Sequence, residues 1–103
     1  MMKFHRIKHK KNYTVSDFYI HEKVAYIPSH LIKESNPIKR DNIGIVSSIN
    51  QQVVYVNYYS VVTGKLQTTS EGTSPVHIIK LNSKEHSEYI KMLNKAIEKK
   101  SLK

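Results

Sequence analysis

Through the middle of the chain, apolar residues alternate with polar ones or gather in short β-branched and aromatic blocks; near Leu81 the spacing becomes that of a helix. Lys23-Val24-Ala25-Tyr26-Ile27 reads as a first strand, ended by Pro28, which has no N–H to give a ladder. Residues 28–42 hold Pro28, Ser29, Asn36, Pro37 and Asp41, the mark of a long excursion, with room for a short helical turn at His30-Leu31-Ile32-Lys33. Residues 43–49 form a second strand, and Asn50-Gln51-Gln52 turns the chain into a third at 53–59. That third run, Val53-Val54-Tyr55-Val56-Asn57-Tyr58-Tyr59, is the strongest, because such side chains suit a pleated, half-buried surface. A connection containing Gly64, which takes positive φ freely, leads to a fourth strand at 66–70. Residues 71–75 form a loop, and 76–80 a short fifth strand.

The tail changes period. Tyr89, Met92, Leu93, Ala96 and Ile97 lie on one helix face, which predicts a helix over 83–99. Asn82 or Ser83 can cap it, with Glu85 at capping-box distance from Asn82. Glu85 and Glu88 near its start, and Lys95, Lys99 and Lys100 near its end, suit the helix dipole.

Five short strands and a terminal helix predict a mainly β fold: a five-stranded SH3-like small barrel with a C-terminal α-helix and a basic N-terminal arm. An OB-fold is the competitor, but its strands are usually longer. Closure into a barrel removes the edges that so small a sheet otherwise exposes. The expected organisation is an arm at 1–17, a barrel at 18–81, and an amphipathic helix with a basic tail at 82–103. Val24, Ile45 or Val46, Val54, Val56 and Ile78 are expected inside, with the Met92/Leu93/Ile97 stripe packed on one open side or end of the barrel.

Composition sharpens this picture at several points. A length of 103 residues suits one domain with one modest core. The absence of Cys excludes a disulfide framework, a thiolate metal site and a Cys nucleophile, and three Gly are too few for a Gly-rich phosphate loop. No run approaches the ~18 apolar residues of a spanning helix, and none follows the basic start Met1-Met2-Lys3-Phe4-His5-Arg6-Ile7-Lys8 as a signal peptide requires. A cytoplasmic protein without a membrane partner is expected.

The net charge of +9 is unevenly placed. Residues 1–41 hold nine basic and four acidic side chains, residues 42–79 one of each (Lys65 and Glu71), and residues 80–103 seven and three. The densest block is Lys3, Arg6, Lys8, Lys10 and Lys11, with no acid before Asp17, a distribution typical of an arm that meets nucleic acid.

Three segments carry a resemblance: Val24-x-Tyr26-Ile27-Pro28-Ser29-His30, Gly44-x-Val46-Ser47-Ser48-x-Asn50 and Val54-Tyr55-Val56-Asn57-Tyr58. Together they resemble a functionally uncharacterised family of short bacteriophage and prophage proteins with a KOW- or Tudor-like, SH3-like small barrel. The resemblance implies the fold and a phage origin, hence a host-cell cytoplasm, and no reaction. Family members often carry a basic residue where this chain has Asn57, so the resemblance does not extend a nucleic-acid contact to the centre of the third strand.

The candidate chemistry points to binding and away from catalysis. His5 and His9 have helical i, i+4 spacing, but Arg6, Lys8, Lys10 and Lys11 around them repel a cation; no metal and no cofactor is expected. His77, in a strand, and His86, on a helix, read as bystanders. Ser47 and Ser48 sit mid-strand without a nucleophile elbow, and Ser47 reads as a packing and hydrogen-bonding residue. Small toxin ribonucleases share the barrel and the basicity, but their early arginine-centred pattern is missing here, where Arg6 and Arg40 are the only arginines. Alternation along the third strand puts Val54, Val56 and Tyr58 on one face and Tyr55 and Tyr59 on the other. An exposed Tyr pair beside lysines is a platform for stacked bases or a protein hot spot, unless the terminal helix covers it. The expected binding residues are Lys3, Arg6, Lys8, Lys10, Lys11, Tyr55, Tyr59, Lys95, Lys99 and Lys100. The expected function is a non-enzymatic module that binds nucleic acid or a nucleoprotein complex. The alternative is a phage inhibitor or adaptor on a host protein, such as a CRISPR effector or the transcription machinery.

Overall fold

The densest run of β-branched and aromatic residues forms an interior strand of the sheet. The structure, a computed structural model, describes residues 13–29 and 34–101. Strands β2 (Ile43–Ile49) and β3 (Val54–Ser60) pair antiparallel from Gly44↔Tyr58 to Ile49↔Val54. β1 (Lys23–Tyr26) lies on the other side of β2 and also pairs with β6 (Ile78–Lys80), so the first and last strands meet. The free edge of β3 is shared by β4 (Lys65–Leu66) and β5 (Glu71–Thr73). Single 3-10 turns stand at Val15–Asp17, Arg40–Asn42 and Pro75–His77, and α1 (Ser87–Ser101) ends the described chain. The expected helical turn at 30–33 lies outside the described residues.

Ser47 is an extra residue in β2: the register moves by one between Val46 and Ser48. Its hydroxyl donates to the Tyr55 carbonyl at 3.2 Å, while the Val46 backbone bonds to the residues just before β1. There the His21 N–H donates to Val46 O (2.8 Å) and the Val46 N–H donates to Glu22 O (3.0 Å). A bulge of this kind increases local twist and curls the sheet.

The sheet departs from expectation in three respects. The fourth strand, expected at 66–70, is two strands that flank this segment. At Gln67 the backbone N–H still donates to the Tyr58 carbonyl (2.8 Å), while its carbonyl accepts from the Asn57 side chain at 3.1 Å; the ladder pairing stops at Leu66 and resumes on β3 at Glu71. The last strand begins at Ile78, because Pro75 opens a 3-10 turn that includes His77. The sheet is also not closed: its order is β4-β3-β2-β1-β6 with β5 on β3, and no pairing joins β6 to β4 or β5 among the described residues. β3's outer partner is in pieces of two and three residues, and the faces are covered by other layers.

Strict alternation assigns those faces. Val24, Val46, Val54, Val56, Tyr58 and Ile78 form one buried cluster, closed by Phe18 with Tyr13 and Val15. Ala25, Ile43 and Ile45 form the other with Ile27 and Ile38, under Leu93 of α1. Residues 13–17, assigned above to the arm, therefore include Tyr13 and Val15, which pack on the core. Lys80 fixes this segment to β6. Its ammonium lies 3.3 Å from the Glu22 carboxylate, donates to the Asp17 carbonyl, and sits 5.2 Å from the Phe18 ring centre.

The helix starts later than predicted. Asn82 Oδ1 accepts the Glu85 N–H (2.8 Å), but the turn this caps ends at His86, whose Nδ1 accepts the Asn82 N–H (3.0 Å). His86 O then accepts the Ile90 N–H to open α1. The buried stripe is Leu93 and Ala96, flanked by Tyr89 and Met92; Ile97, expected inside, is 38% exposed.

Candidate binding surfaces

The residues predicted to bind fall into three groups. Lys3, Arg6, Lys8, Lys10 and Lys11 lie outside the described residues. Lys95 is exposed on α1, one turn after the exposed Lys91, and Lys99 and Lys100 belong to the last turns of the same helix. Tyr55 and Tyr59 share one face of β3 as expected, yet both are half-buried. Four residues of extended strand hold their backbones about 13 Å apart. Tyr59 packs into the cluster under α1, whereas Tyr55 lies over Gly72 and accepts a 3.4 Å hydrogen bond from Asn50 Nδ2. They do not form one platform. A Cβ on Gly72 would stand 3.1 Å from Tyr55 Cε1, so glycine at this position gives the ring its seat.

Sequence reasoning missed a cleft of about 430 Å³, lined by Tyr26, Asp41, Tyr58, Glu71, Thr73 and His77 among others. Its parts come from β1, the turn before β2, β3, β5 and the turn before β6, so only the strand pairing assembles them. Tyr58 forms its floor, 7% exposed, with its hydroxyl 2.8 Å from Thr73 Oγ1. Burial pushes the Tyr58 phenol up to about 12, against the Thr73 hydrogen bond and helped by the nearby Glu71 carboxylate.

This shift has a consequence for stability. In the unfolded chain Tyr58 loses its proton near pH 10, while the native state holds it to about 12. The stabilisation is complete below pH 10 and is lost as pH rises towards 12, by roughly 2–3 kcal/mol. Urea unfolding at pH 9 and 11.5 should show a steeper decline for the native chain than for Tyr58→Phe. Parallel declines would assign the alkaline loss to other groups.

Comparison with family models, curated proteins and solved structures finds no match to this chain. Among the described residues no group of three His, Asp or Glu side chains could hold a metal ion, and no helix is long and apolar enough to cross a membrane.

Proposed function

We propose that this is a non-enzymatic, cytoplasmic, phage-type binding module whose partner is nucleic acid or a nucleoprotein complex, held mainly through phosphate charge. The observation that carries the reading is the placement of charge: five basic residues and no acid stand in the first eleven positions. That segment leads directly into Tyr13, whose ring meets Phe18 edge-on at 5.3 Å on the folded core. Exposed Lys91 and Lys95 add a second basic surface, while Lys80 is committed to Glu22 and the fold. The scaffold is read as an open variant of the SH3-like barrel, a reading supported by the pairing of β1 with both β2 and β6.

Deleting residues 1–11 removes five positive charges. Affinity for nucleic acid should fall, and the slope of log K against log salt should become shallower by up to about 4. Tyr55→Ala should lower single-strand affinity while leaving the salt slope nearly constant, because stacking releases few counterions.

A second reading, a module that docks on a host protein, is favoured by the turn between β3 and β4. Val61 and Val62 are 52% and 89% exposed there. In that case the arm deletion would alter mainly the association rate with the protein, and Val62→Asp mainly its dissociation rate.

A further inference from the structure

We propose that the cleft over Tyr58 is a site for a guanidinium group, presented by an arginine in a basic segment of a partner protein. This stands apart from the nucleic-acid reading and survives its failure, since two carboxylates in the cleft wall repel phosphate.

The charge pattern is the first ground. Among the described residues no Lys or Arg lines this cleft, whereas Asp41 and Glu71 both do. Of the acids outside the cleft, Glu22 pairs with Lys80 at 3.3 Å and Glu88 meets Arg40 at 4.0 Å. Arg40 is adjacent to Asp41 in sequence and still reaches away to Glu88. Among the described residues Asp41 and Glu71 have no ion-pair partner. At physiological salt, charges more than about 8 Å away are largely screened, so the two carboxylates weigh on the cleft more than the distant basic residues do.

The walls supply the second ground. Tyr26, Tyr58 and His77 put three aromatic rings on the cleft, with Tyr26 and His77 packed edge to face at 6.2 Å. A flat cation stacks on such rings and gains from their negative faces. The hydroxyls of Tyr58 and Thr73 hydrogen-bond to one another, so the charged acceptors of the cleft are the two carboxylates. Guanidinium fits better than ammonium: it is planar, weakly hydrated, and offers five donors in a rigid fork to carboxylate oxygens. The volume of about 430 Å³ admits one such side chain with part of its backbone.

The test uses the full chain and three synthetic pentapeptides in which two glycine-flanked positions are arginine, lysine or citrulline. Binding is followed by calorimetry and by the NMR signals of the Tyr26, Tyr58 and His77 rings. The arginine peptide should shift those rings, the lysine peptide should bind at least about fivefold more weakly, and neutral citrulline should not bind. D41N and E71Q should each weaken the arginine peptide about tenfold, the usual scale for a charge-assisted hydrogen bond. Both residues are exposed, so the thermal midpoint should stay in place. Equal binding of the citrulline peptide, equal binding of the lysine peptide, or unchanged affinity in both variants would each overturn the assignment.

Discussion

Gly44→Ala is expected to destabilise the protein by about 3 kcal/mol or more, at the upper end of what overpacking costs. Gly44 is fully within the sheet, opposite Tyr58, on the face that holds Val54 and Val56. A methyl group there would stand 2.6 Å from the Asn57 carbonyl oxygen, 2.6 Å from Val56 Cγ1 and 3.1 Å from the Tyr58 Cα. Two of these neighbours are backbone atoms of β3, so relief requires β2 and β3 to separate. The backbone at Gly44 has no positive φ, unlike Gly64 at 71°, so the constraint is space and not conformation. For a domain whose whole stability is of the order of 5–10 kcal/mol, the urea midpoint should fall by about a third or more. A midpoint unchanged from the parent chain would mean that the two strands are free to move apart.

Leu93→Ala should cost about 2–5 kcal/mol, the range for a buried leucine whose cavity cannot collapse. Leu93 is fully buried and is α1's contribution to the buried cluster of Ala25, Ile27, Ile38, Ile43 and Ile45. Without it the helix keeps Ala96 and the flanking Tyr89 and Met92, whose hydroxyl and side chain lie at the rim of the same cluster. An isolated helix of this length is marginal in water, so its helicity depends on that docking. Hydrogen exchange of the α1 amides should accelerate together with the loss of stability. Ile97→Ala, at a position 38% exposed, should cost no more than about 1 kcal/mol. Equal effects at the two positions would place the wrong stripe against the sheet.

The strands and the helix were legible because periodicity records which face is buried. Val24, Val54, Val56, Ile78 and Leu93 are all buried as their spacing requires. What the spacing could not show arises from pairing between distant residues. The bulge at Ser47 depends on where Tyr55 falls opposite it, and the long-range contact of the Asn57 side chain with the Gln67 carbonyl is invisible in the spacing. The later helix start is a local detail that spacing does not show: Asn82 caps a single turn ending at His86, and α1 opens on the His86 carbonyl. Tyr59 was legible as facing away from Tyr58, but its cover by the α1 layer was not, since that needs the angle at which the helix returns. The cleft is the extreme case. Asp41 and Glu71 are thirty positions apart and unremarkable alone; strand order alone makes them neighbours of the same opening.

A polyanion partner is tested most directly by titrating the full chain with labelled single- and double-stranded oligonucleotides, first at low salt and then as salt is raised. The expected result is binding well below roughly 100 μM, with log K falling linearly against log salt and a steeper slope than that of the chain lacking residues 1–11. Failure of both strand types to bind more tightly than roughly 100 μM at low salt would contradict it and leave the host-protein reading.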